Sequence, residues 1–278
     1  MASESVDDRT PDFIYGTAWK EEQTYDLTKL ALESGFRAVD TANQRKHYHE
    51  VGVGEAIQDV LNGTIDRSDL FVQTKFTYPA GQDHRFPYDE DASNETKVRQ
   101  SLNSSLEHLG LQRVDSYILH GPSTRRGLAA ADREVWRTME QLAEGDKVDQ
   151  IGVSNVSPEQ LDSFIEFAEK PPAYVQNRCF AREGWDSRTR EICSSNGIRY
   201  QAFSLLTANQ RELQADKLRD IARRYKKTVP QIAFRFAMEK DMIPLTGTTS
   251  EEHMKQDLAC RKFDLKTEDV NEIEQIGV

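Results

Sequence analysis

Leu70-Phe71-Val72-Gln73-Thr74-Lys75 is an apolar-rich run of strand length that ends on a single cation and opens into a long polar loop. Two other stretches are built the same way: Phe36–Val39 runs into Asp40, and Ser116–Leu119 runs into His120. The three are spaced as successive strands of a barrel would be. In a (β/α)8 barrel the C-terminal strand ends share one rim, where loops vary while strands hold position. A carboxylate, an ammonium and an imidazole at three such ends converge on one mouth. Tyr48, on the loop leaving Asp40, is placed to join them, and these four groups together suggest proton transfer.

Working outward, the alternation continues. Phe13–Tyr15, Ala38–Asp40, Gln150–Ser154, Tyr174–Asn177, Arg199–Phe203 and Met242–Leu245 read as further strands, with Asp115–His120 as the fourth in order. Helical spacing of apolar residues marks Thr24–Ser34, Val51–Leu61, Asn94–Leu109, Ala131–Glu144 and Pro158–Ala168. It recurs at Arg190–Ser195, Leu213–Tyr225, Val229–Met238, Glu252–Ala259 and Thr267–Ile276. Gly35, Gly110 and Gly145 stand where helices stop, and Ser157-Pro158 is an N-cap followed by a first-turn proline. The pattern predicts an α/β fold, a single-domain (β/α)8 TIM barrel over 12–278, with 1–11 as a flexible N-terminus. An open doubly wound sheet would favour a GxGxxG turn after the first strand, and Gly16-Thr17-Ala18-Trp19 does not fit one.

The chain has 278 residues and a formal net charge of −11. That balance repels phosphate backbones and anionic membranes, which argues against nucleic acid or a membrane as the main partner. Cys179, Cys193 and Cys260 show neither a CxxC pair nor metal-ligand spacing, so no metal is expected and a reducing compartment is. The polar start lacks a signal-peptide core and no apolar run is long enough for a span, so a cytoplasmic protein is expected. Tyr78–Ser93 is unusually long and polar; it reads either as a solvated insertion or as a loop overhanging the mouth.

The segments FRAVDTA (36–42), FVQTKF (71–76), DSYILHGP (115–122), IGVSN (151–155), YVQN (174–177) and MIPLTGT (242–248) resemble the aldo-keto reductase superfamily, in that family's order. Each alone has an ordinary reading: a strand-end Asp is commonly a turn former, a strand-end Lys snorkels, a His can sit in a core. Co-occurrence is what carries the resemblance. It implies reduction of a small-molecule carbonyl by hydride from a nicotinamide, with a tetrad of Asp40, Tyr48, Lys75 and His120. Tyr48 would donate the proton, and Lys75, held by Asp40, would lower its pKa. His120 would orient the substrate oxygen. Counting back from Glu50 and Val53-Gly54, the Tyr slot falls on His47 instead, because the loop after Asp40 carries extra residues; Tyr48 is the only phenol there. A nicotinamide-binding regulatory subunit with little turnover, or a barrel enzyme without redox chemistry, stands as the alternative.

The resemblance also implies a cofactor track. Ser154, Asn155 and Gln176 would hold the carboxamide, and Phe203 would stack on the ring, with Thr17 and Ala18 nearby. Ser204, Leu205 and Leu206 would run along the pyrophosphate, and Trp19 would wall the substrate pocket with Tyr48 and His120. After the last strand the family commonly has a Lys and then an Arg that grips a 2′-phosphate. Here Leu245 and His253 take those places, leaving Thr246, Gly247, Thr248 and Thr249 as a phosphate cradle and Gln256 and Asp257 toward adenine. NADPH is therefore the expected cofactor, with NADH use open because no fixed cation selects the 2′-phosphate. A monomer is the family default. With the last helix ending near Val278, a more open pocket is expected, the Tyr78–Ser93 loop contributing to recognition.

Overall fold

The computed structural model describes residues 10–63 and 65–277. The expected flexible segment 1–11 lies outside the described residues except for Thr10 and Pro11. Eight parallel strands close into a barrel in sequence order: β1 (Ile14–Gly16), β2 (Ala38–Asp40), β3 (Phe71–Phe76), β4 (Val114–Leu119), β5 (Val148–Ser154), β6 (Tyr174–Arg178), β7 (Arg199–Phe203) and β8 (Met242–Thr246). β1 pairs with both β2 and β8, which seals the cylinder.

The helices follow from local chemistry. α1 (Thr24–Ser34) ends at Gly35, whose φ of 115° and backbone N–H bonds to the carbonyls of Ala31 and Leu32 close it. α2 (Glu50–Leu61) and α3 (Asn94–Leu109) meet at Gly54, where a Cβ would lie 2.0 Å from the carbonyl oxygen of His108, so only glycine permits this approach. α4 (Ala130–Glu144) follows the β4 loop. α5 (Pro158–Phe167) begins with the reciprocal cap that Ser157 and Gln160 make, and α6 (Ser187–Ser195) follows β6. α7 (Asp216–Tyr225) starts later than its apolar spacing suggested because Glu212–Gln214 forms a separate 3₁₀ turn. α8 (Val229–Glu239), α9 (Glu251–Leu258) and α10 (Thr267–Glu274) complete the chain.

Two cores result. The larger fills the space between strands and helices, around residues such as Trp136, Phe164 and Phe236. The smaller plugs the barrel interior with Ile14, Ala38, Phe71, Ile118, Tyr174, Ile243 and Leu245. Alternation along a strand puts every second side chain inside. Phe71, Gln73 and Lys75 therefore climb the barrel from an apolar floor through an amide to an ammonium. The strand register sets Asp40 beside Gln73 and Gln176 beside Gln201.

Candidate active site

Asp40 and Lys75 meet at the top of the plugged barrel. Lys75 is fully buried, and its Nζ donates to Asp40 Oδ1 at 2.7 Å, Asp40 Oδ2 at 2.6 Å and the carbonyl of Thr41 at 2.8 Å. Every proton of the ammonium is committed. Beneath the pair, the amides of Gln73 and Gln176 each donate to Asp40 Oδ1, at 2.6 and 3.0 Å, and each also donates to Gln201 Oε1 at 2.9 Å. Gln201 returns a bond to Gln73 Oε1 at 2.9 Å. A buried network satisfied in this way is rigid, and it locks the carboxylate. Burial pulls the Lys75 ammonium pKa down, while Asp40 and Glu50 oppose the shift.

Tyr48 and His120 stand over this pair. Lys75 Nζ lies 5.2 Å from the Tyr48 ring centroid, and the Tyr48 ring meets the His120 ring edge-on at 6.0 Å. Burial, with the Asp40 carboxylate adding to it, pushes the phenol pKa up. This is the opposite of the expected lowering by Lys75, and the reason is geometric: the protons of Lys75 go to Asp40 and Thr41, so its charge is compensated before it reaches the phenol. His120 Nδ1 is 2.8 Å from Thr77 Oγ1. Its pKa is pushed down to about 3 by burial, then by Lys75 and His47, so the ring is neutral near pH 7. His47 lines the same cavity as Tyr48 but turns to Trp19. Its ring stacks on Trp19 with centroids 3.9 Å apart, and its Nδ1 is 2.9 Å from Gln44 Oε1. Of the two side chains that compete for the acid's slot, Tyr48 is the one beside Lys75 and His120.

These groups open onto a cavity of about 640 Å³. Trp19, Tyr48 and His120 line one end, and Ser154, Asn155, Gln176 and Phe203 line its middle. Asn155 Nδ2 donates to the carbonyl of His120 at 2.8 Å and to Ser154 Oγ at 3.0 Å, and Ser154 Oγ donates to the carbonyl of Gln176 at 2.7 Å. Ser154 thus orients Asn155. The carbonyl oxygens of the Asn155 and Gln176 amides accept no protein hydrogen bond among the described residues, which suits them to the two N–H groups of a carboxamide. Trp19, Asn155 and Ser204 hold left-handed backbone, with φ of 61°, 55° and 57°. Such conformations cost of order 1–3 kcal/mol each and persist where the surroundings fix them, typically at ligand sites.

The match to the aldo/keto reductase family covers residues 13–278. The chain belongs to this family. It is 29% identical over 270 residues to YtbE, an uncharacterised oxidoreductase of Bacillus subtilis (strain 168), with 96% of this chain and 89% of that one covered. MGS-M4, an aldo-keto reductase from a Medee basin deep-sea metagenome library, superposes with a TM-score of 0.83 at 29% identity over 97% of this chain and 93% of its own. An aldo-keto reductase crystallised with NADPH (AKR2E5) shares the fold with a TM-score of 0.82 at 24% identity, over 97% and 85% of the two chains. Carbonyl reduction is the general chemistry of the family, and the chain is an oxidoreductase of that kind.

In this aldo-keto reductase the far end of the cavity departs from the sequence reading. Ala18, Leu205, Leu206, Gly247, Thr248, His253 and Gln256 line the cavity as expected. Thr17 and Thr249 do not. Thr17 is buried, and both its N–H and its Oγ1 donate to the carbonyl of Asp40 at 3.0 Å, tying the ends of β1 and β2 together. Thr249 is exposed. The Thr246 hydroxyl is engaged, donating to Asp257 Oδ2 at 2.8 Å, and burial pushes the Asp257 carboxyl up to about 6. Leu245 lies in the barrel core and supplies no charge, as its identity requires.

Three features escaped the sequence reading. Gln73 and Gln201 looked like strand polar residues, and only the closed cylinder puts them under Asp40. Arg178, two residues past Gln176, lines the cavity with its guanidinium carbon 5.5 Å from the Phe203 centroid. Lys20 reaches from the loop after β1 to donate to the carbonyl of Gly247. The signal for Arg178 was its inward parity with Gln176; nothing local pointed to the glutamines' partner or to Lys20.

Proposed function

We propose that the chain reduces an aldehyde or ketone to the alcohol with NADPH, using Tyr48 as proton donor. The observation that carries this reading is a single pocket in which Tyr48 and His120 adjoin the locked Asp40–Lys75 pair and face the free amide acceptors of Asn155 and Gln176. A bound reduced nicotinamide supplies a hydride to the carbonyl carbon. Phe203 offers a ring to stack on, and Asn155 and Gln176 fix which face of a carboxamide-bearing ring is presented. His120, neutral and braced by Thr77, donates a hydrogen bond from its second ring nitrogen to the substrate oxygen. That oxygen then meets the Tyr48 hydroxyl, which gives up its proton as negative charge builds. Lys75 and Asp40 act as positioning residues. The ammonium lies 5.2 Å from the ring centroid, where it can stabilise phenolate character at the moment of transfer, while burial and the Asp40 carboxylate hold the resting phenol protonated.

NADPH is supported by the family and by the neighbour crystallised with it. The residues present fit the dinucleotide: Lys20 brings one cation to Gly247 in the cradle, but Leu245 and His253 stand where the family pattern has Lys and Arg, and the Asp257 carboxyl borders the cradle. NADH is on that basis a competent donor too. Ser154 orients Asn155, and Gln256 with Asp257 borders the adenine. The cytoplasm is the proposed location. Parallel titration of intrinsic fluorescence with NADPH and NADH, followed by turnover of a reactive aromatic aldehyde, tests the proposal. Quenching with aldehyde-dependent loss of the reduced cofactor supports it. Neither cofactor quenching the protein would overturn it.

A further inference from the structure

A second cavity, of about 530 Å³, shares Trp19, His47 and Tyr48 with the first. Its lining comes mostly from the extended loop after Asp40, with Arg85 from the Tyr78–Ser93 loop and further residues from the loop after β1, α2 and α3. The loop after Asp40 and the Tyr78–Ser93 loop brace each other. Gln44 Nε2 donates to the carbonyl of Gly81 at 2.7 Å, Gln82 Nε2 to that of Asn43 at 2.8 Å, and an Arg85 guanidinium nitrogen to that of Arg45 at 2.8 Å.

Arg45 lines this cavity in an unusual electrostatic setting. Its Nη2 lies 3.4 Å from His108 Nε2. A guanidinium only donates, so that nitrogen accepts, and His108 is the tautomer protonated on Nδ1. Nδ1 in turn donates to Glu50 Oε2 at 3.1 Å. Glu50 is buried, and its other oxygen accepts the Thr74 hydroxyl. Arg45 is thus held through the His108 ring. No carboxylate pairs with it among the described residues, and the same is true of Lys46 beside it, whereas Arg85 is paired with Asp83. Glu21 and Glu22 line the cavity as well, so it is polarised, with acids and cations that have no ion-pair partner among the described residues in one lining. A dipolar molecule entering it is oriented with its anionic end toward Arg45.

We propose that this cavity takes the carboxylate of the carbonyl substrate, with Arg45 as the principal contact and Lys46 as support, so that the chain prefers carboxylate-bearing aldehydes or ketones. The proposal rests on the reductase reading above. Because Tyr48 lines both cavities, a carbonyl held at its hydroxyl is within a small molecule's length of the second one. A guanidinium without a protein counter-charge forms charge-assisted, bidentate bonds to a carboxylate without first losing a partner.

The test compares 4-carboxybenzaldehyde with benzaldehyde as substrates of the full chain, reading the ratio of their kcat/KM values in the wild type, Arg45→Gln and Arg45→Lys. The ratio should favour the acid in the wild type, fall about tenfold in Arg45→Gln and recover in part in Arg45→Lys. An equal ratio in wild type and Arg45→Gln would overturn the proposal. If Arg45→Gln does not fold, wild-type fluorescence decides. Trp19 is 68% exposed and lines both cavities, while Trp136 and Trp185 are buried, so benzoate should quench where benzamide does not. Equal responses to benzoate and benzamide would overturn the proposal. Loss of benzoate quenching in Arg45→Gln with an unchanged substrate ratio would make this an effector site for a free anion and overturn the substrate assignment. If neither aldehyde is turned over, the reductase reading itself fails. If benzaldehyde is turned over without preference for the acid, that reading stands and only the carboxylate subsite falls.

Discussion

Lys75 delivers all three of its protons to Asp40 and Thr41, at 2.6–2.8 Å, and none to Tyr48, whose ring centroid is 5.2 Å away. The ammonium is therefore a fixed charge near the phenol, clamped by Asp40 and the Thr41 carbonyl. Its position depends on Asp40, and that of Asp40 on three glutamines from three different strands.

The buried pair makes a stability prediction. Lys75→Met leaves the Asp40 carboxylate buried beside Gln73 and Gln176 with no cation. Removing one partner of a buried pair costs about 3–5 kcal/mol. Urea unfolding should show a loss of that size for Lys75→Met, and a smaller loss for the double variant Asp40→Leu/Lys75→Met. A double variant no more stable than Lys75→Met would show that the lost ion pair is not the source of the effect.

Tyr48 and His47 line the same two cavities, but only the Tyr48 ring packs against both Lys75 and His120, while the His47 ring stacks on Trp19. Tyr48→Phe should lower kcat by about 10²–10⁴-fold while fluorescence quenching by NADPH is retained, because general-acid catalysis typically contributes that much. His47→Gln, which removes a ring stacked on Trp19, should lower turnover far less. The reverse order in stopped-flow or steady-state assays would move the acid to His47.

His120 carries a pH signature. Its pKa falls from 6.5 to about 3 on folding, so the unfolded chain takes up a proton that the folded chain refuses. The group's contribution to stability is full above about 6.5 and is lost as pH falls from there toward 3. Unfolding free energy measured between pH 6.5 and 4 should therefore fall more steeply in the wild type than in His120→Gln. In the same range kcat should show no inflection from His120. Parallel stability slopes for the two proteins would refute the assignment.

Much of the fold and the placing of Asp40, Lys75 and His120 on one rim was legible in the chain, and the reason is local. Asn94–Leu109 and Arg199–Phe203 come out with the boundaries their patterns gave, because caps, turn glycines and side-chain period act over a few residues. Asp40, Lys75 and His120 sit at or just past strand ends, so naming the strands placed them. Thr17 and Thr246 show the opposite case: each hydroxyl donates to a partner, the Asp40 carbonyl and the Asp257 carboxylate, that only folding brings near.

The Thr246–Asp257 contact makes a prediction about cofactor choice. Asp257→Asn removes a carboxyl, pushed up to about 6, that borders the phosphate cradle. At pH 8 the variant should bind NADPH relative to NADH several-fold better than the wild type does. Below about pH 6 the two should converge, because the wild-type carboxyl is then protonated. His253→Arg should raise the same preference about tenfold at every pH, since it adds a permanent cation that can grip a 2′-phosphate bidentately. Dissociation constants for both cofactors at two pH values check both statements, and a pH-independent effect of Asp257→Asn would sink the first.

The linear chain by itself determined the number and order of strands, the rim on which chemistry gathers, and three of the four groups that gather there. Those outcomes depend on periodicity and on strand parity, which neighbouring residues enforce. Closure of the cylinder decided the rest: which of His47 and Tyr48 faces the lysine, which hydroxyls are free, and how Gln201 from β7 comes to support Asp40 on β2. It also set Arg45, which has no carboxylate partner among the described residues, against His108 from α3. Contacts between residues far apart in sequence depend on the shape of the whole barrel, because burial and hydrogen-bond competition are settled only when every strand is in place.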